Sequence, residues 1–435
     1  MLDHSVSLVP AQPPTPLDTP LTLRVEKLVP GGKGYARLPD GRVALIEAVV
    51  PQDLIEVTSV HARKGYVEVA AWRLLNESPQ RIKPKCEYTE SCGGCDWMIL
   101  DAIGQRTAKL NLVREALART GKISNLPNDL QLIASPNAFA YRSRIRLQVS
   151  PSGRVGFFSA ASHDLVEVPH CAVAAPEVNR ALAQLRQWAQ RHPESLTGVA
   201  HVEIRTAPDQ MTSIHFAGDR QEARQGLEEL QQSFTVSFTN DSVDAAVWQR
   251  YPLHDHVQLQ APPGTFTQVN WAVNQLLIEH VVQGAEARST RSFADLYCGS
   301  GNFTLPLLAR GMTGIAVEFH PQSITALRQA ARDQGLTLGL AQCSDVEKFA
   351  DRAAREGQLY DLVLVDPPRA GLKTGIDAVA KLAKRHIAIC SCDPVTLARD
   401  LRGLLDRGFR LESITAFDMF PQTHHVEVLA WLERP

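Results

Sequence analysis

Cys392 sits in the stretch Ile389-Cys390-Ser391-Cys392-Asp393-Pro394, between an apolar run that reads as a buried strand and a helical pattern from Val395 to Leu405. Asp393 can cap that helix and Pro394 suits its first turn, which leaves the thiol in the connecting turn. A thiol there lies at the carboxyl rim of an α/β sheet, beside backbone N–H groups that favour its thiolate. The chemistry this permits is covalent catalysis by a nucleophilic sulfur; the plain alternative is a small buried hydrophobe. Cys390, two residues back on the same strand, is the rival nucleophile. Cys298 and Cys343 follow other strands and are expected to pack.

Acids recur at the ends of the neighbouring strands. One strand ends in Asp295-Leu-Tyr-Cys-Gly299-Ser-Gly301-Asn302-Phe303, where glycines let the chain approach a ligand and the following helix offers N–H groups. Glu318 closes the next strand, placed for a ribose diol, and Asp345 follows the third, within reach of an adenine amine. Position 304 is threonine, so the dinucleotide pattern GxGxxG is incomplete, and a sulfonium nucleoside without a pyrophosphate fits better than NAD. Each acid alone could be a helix cap or a surface charge; three in step at successive strand ends point to a ligand.

Cys86, Cys92 and Cys95 form a C-x5-C-x2-C run with Gly93 and Gly94 inside it. Thiolates so close repel one another unless a cation neutralises them, and glycines let the backbone fold around a metal centre. Cys171, in Pro169-His170-Cys171, is the next cysteine and the expected fourth ligand. Four thiolates suit structural zinc or an iron–sulfur cluster. Zinc sites more often come as two C-x2-C pairs, which favours the cluster.

These residues need elements to hold them. From Trp271 onward the pattern is regularly α/β: strands end at Ala294-Asp295, Ala316-Val317, Leu340-Ala341, Leu364-Val365 and Ala388-Ile389 with helical stretches between, and two more strands follow near Leu411–Phe417 and Val426–Leu432. That predicts a parallel sheet with its ligands at the carboxyl ends of the strands. Before it, residues 79–265 read as an α+β domain containing helices Gln105–Arg119 and Val178–Gln190. Its strand Tyr141–Val149 places Arg142, Arg144 and Arg146 on one face, which suits a phosphate backbone or a salt-bridged surface. Residues 21–78 alternate short β-rich runs with turn signals at Gly31-Gly32 and Pro39-Asp40-Gly41, as a small OB-like barrel would. Between Leu21 and Lys85 there are eleven Lys and Arg against seven Asp and Glu, a hint of a phosphate-bearing partner that a solvated strand face would also give.

Composition sets the outer bounds. A chain of 435 residues exceeds one ordinary core, and 44% hydrophobic residues is typical of a soluble globular protein. A formal net charge of −2 argues against a general nucleic-acid-coating protein. No apolar run approaches the ~18 residues of a membrane span. Residues 1–20 lack a signal-peptide pattern and are rich in proline, which predicts a disordered tail, a cytoplasmic chain and reduced cysteines.

From about Leu21 to its end the chain resembles the uracil-C5 RNA methyltransferases, in particular those of 23S rRNA that carry an iron–sulfur cluster. The stretches that match are Phe266-Thr-Gln268-Val-Asn270, Asp295-Leu-Tyr-Cys-Gly-Ser-Gly-Asn-Phe, Asp366-Pro-Pro-Arg-Ala-Gly, Ser391-Cys392-Asp393-Pro394-Val-Thr-Leu-Ala-Arg-Asp and Phe420-Pro421-Gln-Thr-His424-His425-Val-Glu427. Residues 21–78 resemble the TRAM domain through Gly32-Lys33-Gly34, Ala36-Arg37 and Pro51. The resemblance implies a class I, Rossmann-like methyltransferase sheet over residues 266–435. It implies Cys392 as nucleophile, Glu427 as base, and S-adenosylmethionine contacts from Gln268, Tyr297, Asn302, Glu318, Asp345 and Asp366. It also implies a [4Fe-4S] cluster on Cys86, Cys92, Cys95 and Cys171.

Such chemistry requires a thiol. Uracil C5 is a poor nucleophile until sulfur adds at C6, yet an ordinary thiol is only about 3% ionised at neutral pH, a handicap of about 2 kcal/mol. Where the family has asparagine this chain has Asp393, whose carboxylate opposes ionisation of the thiol. Glu427 opens the last strand, antiparallel in this fold, and so lies on the rim that holds Cys392, placed to take the C5 proton. The two prolines after Asp366 stiffen a turn that fits a planar base. The expected enzyme acts on 23S rRNA as a monomer without a protein partner, on a base flipped from its stack or in a single-stranded loop. Alternatives are a tRNA uracil-C5 enzyme, a type that generally lacks the barrel and cysteines, an amino-methylating enzyme, and a non-catalytic RNA-binding or assembly factor.

Overall fold

The computed structural model describes residues 13–127, 129–160, 162–208, 212–218, 226–239 and 248–435. The described residues gather into two compact units, one of those within 13–90, 95–108 and 422–424, the other of those within 91–94, 109–421 and 425–435.

The first unit is built on a six-stranded sheet in the order Thr15–Arg24, Leu54–Arg63, Tyr66–Asn76, Val43–Ile46, Gly34–Arg37, Lys27–Leu28. Alternation of apolar and polar residues turns Leu23, Ala36, Ala44, Ile46, Ile55, Val57 and Val67 to one core, an arrangement consistent with an OB-like domain. Its first strand begins at Thr15 and so takes in the last residues of the stretch 1–20 expected to be disordered; residues 1–12 of that stretch lie outside the described residues. Much of the basic excess is paired. Lys33 meets Glu47 and Glu68 at 3.2 Å each, Arg73 meets Glu56 at 2.6 Å, and Arg81 meets the buried Asp53 at 2.5 Å. Lys27 and Arg37 lie over the Tyr35 ring at 5.3 and 5.7 Å.

The second unit contains two large sheets. The smaller runs Leu165–Val166, Val155–Phe158, Arg144–Val149, His201–Arg205, Ser213–Ala217, Thr235–Phe238. Helix Pro176–Arg191 buries Val178, Ala181, Leu182, Leu185 and Trp188 in the core beside it. The arginine face resolves into a paired network: Arg144 meets Glu203 at 3.3 Å, and the buried Arg205 meets the same carboxylate at 2.6 Å. Arg146, opposite Glu203 in the register, is exposed. The salt-bridged alternative therefore holds for Arg144.

In the larger sheet the strands are numbered in chain order: β1 Ser292–Leu296, β2 Thr313–Glu318, β3 Leu340–Cys343, β4 Tyr360–Val365, β5 Ala383–Ser391, β6 Arg410–Phe417 and β7 Glu427–Glu433. Their spatial order is 3-2-1-4-5-7-6. Strands β1 to β5 are parallel, and β7 enters antiparallel between β5 and β6. This is the expected α/β sheet, with one addition: Gln131–Ile133 pairs in parallel with the outer edge of β6. Helices α1 Trp271–Ala287, α2 Thr304–Ala309, α3 Pro321–Asp333, α4 Val346–Arg355, α5 Ile376–Leu382 and α6 Pro394–Leu405 cover it. Burial on both faces explains the unbroken apolar runs of β4 and β5, and the cores on either side are separate clusters. Among the described residues no helix is long and apolar enough to cross a membrane.

Candidate active site

The turn after β1 makes the floor of a pocket. Tyr297 takes a left-handed φ of 66°, and Gly299 and Gly301 follow at 54° and 98°. The φ of 98° is what requires glycine at 301, where a Cβ would also press on the end of the Leu327 side chain at 2.5 Å; one on Gly299 would meet nothing within 4 Å. The pocket is lined by Phe266, Gln268, Tyr297, Gly299, Ser300, Asn302 and Asp366, among others. Four of the six expected donor contacts thus come together.

Glu318 adjoins them, because one of its oxygens accepts from Gly299 N at 3.1 Å and the other from His320 N at 2.9 Å. Asp345 does not line the pocket. It is exposed and caps α4, accepting from Lys348 N at 2.9 Å. Its charge still reaches the site: burial first, then Glu347 and Asp345, push the Tyr297 phenol up to about 12.

The floor holds polar atoms that want partners. Thr304 Oγ1 donates to Asp295 Oδ2 at 2.5 Å, but the other oxygen of this fully buried acid has no hydrogen bond, nor has Ser300 Oγ. Burial, with the Asp366 and Glu318 charges, pushes the Asp295 carboxyl up to about 7. A cationic ligand with several hydrogen-bonding groups fits such a cradle, and a sulfonium nucleoside is one.

Cys392, Glu427 and Asp366 meet on the rim. The last register pair of β5 and β7 is Ser391 with Val428, so the antiparallel step beyond it sets position 392 opposite 427. Each group feels the others. Burial and Asp366 hold the Glu427 carboxyl well above its ordinary range, and burial with Glu318 pushes Asp366 up to about 7.

The thiol departs from expectation. Burial, then Glu427, drive it up to about 11, with Asp366 adding to the rise, so the helix start does not make it a ready thiolate. Asp393 is engaged as the α6 cap, accepting from Thr396 N at 2.7 Å, and the carboxylates that oppose ionisation are Glu427 and Asp366. What favours the thiolate is Arg369, whose guanidinium lowers the thiol's pKa by its charge first and by hydrogen bonding second. Sequence reasoning quoted Arg369 only as part of Asp366-Pro-Pro-Arg; a cation three residues past a strand-end acid was the available signal.

Cys390 is wholly buried and its thiol is driven far up by burial, which removes it as a rival. Cys298 packs in the core as expected, whereas Cys343 is exposed and donates to the Phe319 carbonyl at 3.2 Å. None of the eight cysteines is joined in a disulfide. Among the described residues no group of three or more His, Cys, Asp or Glu is arranged to hold a metal ion, and this includes Cys86, Cys92, Cys95 and Cys171.

Comparison with known proteins bears on the whole chain. The profile of the family described as tRNA (Uracil-5-)-methyltransferase matches residues 128–435. The 23S rRNA (uracil(1939)-C(5))-methyltransferase RlmD of Klebsiella pneumoniae is 31% identical over 95% of this chain and 96% of its own length. That of Aeromonas hydrophila is 32% identical over 91% and 92%. The crystal structure of Pyrococcus abyssi tRNA (uracil-54, C5)-methyltransferase in complex with S-adenosyl-L-homocysteine superposes with a TM-score of 0.72 at 23% identity, covering 95% of this chain and 100% of that one, which shows a shared fold. With the profile matched across most of its length and these relatives across nearly all of it, the chain belongs to the tRNA (uracil-5-)-methyltransferase family.

Proposed function

We propose that this protein methylates C5 of a uracil in 23S rRNA, with S-adenosylmethionine as donor, through a covalent adduct between Cys392 and uracil C6. The observation that carries the reading is the opposition of Cys392 and Glu427 across β5 and β7, with Arg369 on the sulfur and the donor-type pocket reaching Asp366. The donor, when bound, supplies an electrophilic methyl group. Cys392 Sγ, as the thiolate, bonds to C6, and the ring electrons move to C5, which takes the methyl while the electron pair of the broken sulfur–methyl bond stays on the donor's sulfur. Glu427 then removes the C5 proton, the C6–S bond breaks, and the sulfur leaves as the thiolate that Arg369 steadies. A carboxylate with a raised pKa is the stronger base for that proton once it is ionised. Gln268, Tyr297, Asn302, Glu318 and Asp366 are assigned to the donor, with Asp345 at the outer edge.

The ribosomal substrate is supported by the names of relatives about 30% identical over nearly the whole chain. A tRNA substrate is the second reading. The fold shared with the Pyrococcus abyssi tRNA enzyme reaches 95% of this chain, so an N-terminal module does not separate the two classes as expected. We assign residues 21–78 to a TRAM-like RNA-binding barrel, where Lys27 and Arg37 flank Tyr35 for a phosphate and a base, residues 79–265 to the central domain and 266–435 to the methyltransferase. We also assign a [4Fe-4S] cluster to Cys86, Cys92, Cys95 and Cys171. Four thiols, three of them within ten residues and flanking two adjacent glycines, have the donor chemistry. Stoichiometric iron and sulfide in anaerobically purified protein is the expected result; stoichiometric zinc in their place would refute the cluster.

The test of the activity uses ribosomal RNA fragments containing 5-fluorouridine. Fluorine cannot leave C5 as a proton does, so an adduct resistant to denaturation accumulates and is absent with Cys392→Ala. Methyl transfer to ordinary RNA without any adduct would overturn the mechanism, and transfer to tRNA alone would overturn the substrate.

A further inference from the structure

Three segments bring the reacting groups together: the turn after β4 carries Asp366 and Arg369, the turn after β5 carries Cys392, and the start of β7 carries Glu427. The Arg369 turn is pinned to α6. Thr396 Oγ1 donates to the Arg369 carbonyl at 3.1 Å, Arg399 Nη2 to the Ala370 carbonyl at 2.8 Å, and Leu372 N to Asp400 Oδ2 at 2.8 Å. Gly371 permits the closeness, since a Cβ there would collide with Thr396, Arg399 and Asp400. These bonds fix the backbone of Arg369 and leave its long side chain to be placed by something else.

His425 is the group in position to do so. Its Nε2 lies 3.4 Å from Arg369 Nη2, and the edge of its ring meets Phe420 with centroids 5.9 Å apart. A guanidinium can only donate, so Nε2 must accept, and the bond exists only with an unprotonated ring nitrogen there. The groups facing the sulfur are Glu427, Arg369 and Asp366, two acids and one cation. Losing the cation from its place would leave the acids alone with the thiol.

We propose that His425 is a positioning residue for the nucleophile: its Nε2 accepts from the Arg369 guanidinium and holds that cation against Cys392 Sγ. The inference rests on the reading of Cys392 as the nucleophile, and it ties the strand that carries the base to the turn that steadies the thiolate.

The test follows iodoacetamide alkylation of the Cys392 peptide by mass spectrometry across pH, in full-length protein without RNA. His425→Phe keeps an aromatic ring but no acceptor. It should raise the alkylation midpoint by about one pH unit, slow labelling at a fixed pH by about tenfold, and slow adduct formation with 5-fluorouridine RNA by a similar factor. His425→Gln, whose Oε1 stands where Nε2 did, should stay within about twofold of the parent. Calorimetry with S-adenosylhomocysteine should give unchanged affinity in both, which separates a moved cation from a damaged pocket. Should the Phe variant not fold, His425→Asn, too short to reach Arg369, supplies the loss.

A parental alkylation midpoint in the variants without an acceptor would overturn the proposal, as would equal shifts in the Phe and Gln variants. Methylation that persists in Cys392→Ala would refute the nucleophile instead, while the alkylation profile would still report on the His425–Arg369 bond.

Discussion

Asn302 and Asn274 exchange two amide hydrogen bonds, at 2.8 and 2.9 Å, one from each side chain to the other. Asn274 is fully buried in α1, so Asn302 at the pocket wall is oriented from beneath. A pocket residue held in this way presents its remaining donor and acceptor capacity in one direction.

Asn274→Ala should therefore weaken donor binding without touching the donor. Loss of orientation at one contact is worth about 1 kcal/mol, or roughly fivefold in Kd, and the stranded Asn302 amide should cost about 1–3 kcal/mol of stability. Titration calorimetry with S-adenosylhomocysteine and a urea midpoint measure the two effects. An unchanged Kd would mean that Asn302 is held by other means.

Glu427→Gln should stop the reaction after methyl transfer. The adduct forms, but the C5 proton has no acceptor, so a covalent complex should persist with ordinary uracil-containing RNA as it does with 5-fluorouridine in the parent. A denaturing gel decides the matter, and free methylated RNA at the parental rate would remove Glu427 from its role.

The rate should climb with pH. Burial and Glu427 push the Cys392 thiol up to about 11, so below that value the thiolate fraction rises about tenfold per pH unit. Arg369→Ala should depress adduct formation at every such pH by roughly tenfold or more, and Arg369→Lys by less, because an ammonium keeps the charge without the planar fork. Single-turnover rates against pH measure this.

Asp295 should make the protein less stable as pH rises. Its folded pKa, raised to about 7, lies above its ordinary 3.8, so between those values the folded chain binds the extra proton. Stability associated with that proton is complete below about pH 4 and lost as pH climbs through 7, by up to about 4 kcal/mol. Asp295→Asn should flatten this part of the urea midpoint curve and be the more stable chain above pH 7. Its donor affinity should fall, because an acid is missing beneath a cationic ligand.

A buried ion pair stabilises the approach to β7. Lys109 Nζ lies 2.5 Å from Asp418 Oδ1 and 2.9 Å from the Phe420 carbonyl, and the lysine side chain is wholly buried. Lys109→Met should destabilise the chain by about 3–5 kcal/mol because it strands the carboxylate, and adding Asp418→Leu should restore much of that. Denaturant midpoints of the two variants measure it.

The parallel sheet and most of its strand ends were legible because apolar runs bounded by glycine, proline and acids are local signals, although β3 begins at Leu340, where the pattern ends it. Cys392 and Glu427 were legible as a pair only through resemblance, since 35 residues separate them and the register brings them together. Arg369, His425 and Asn274 act through side-chain contacts between distant segments, which no local pattern encodes. The arginine strand shows the same limit from the other side. Alternation placed Arg144 and Arg146 on one face, but it could not reveal that Glu203, on the neighbouring strand, occupies Arg144. The short strand Gln131–Ile133 has too few residues to show a period at all.

Strand β7 lies last in the chain and in the interior of the sheet, hydrogen-bonded on both sides. During synthesis every other strand of this sheet is made before it, so β5 and β6 must wait with their inner edges open to water or to other chains. A copy that ends short of Glu427 would keep those edges and lack the carboxylate proposed as the base. Such a fragment would be both inactive and prone to aggregate, and quality-control proteases would meet it as a sheet with a missing middle.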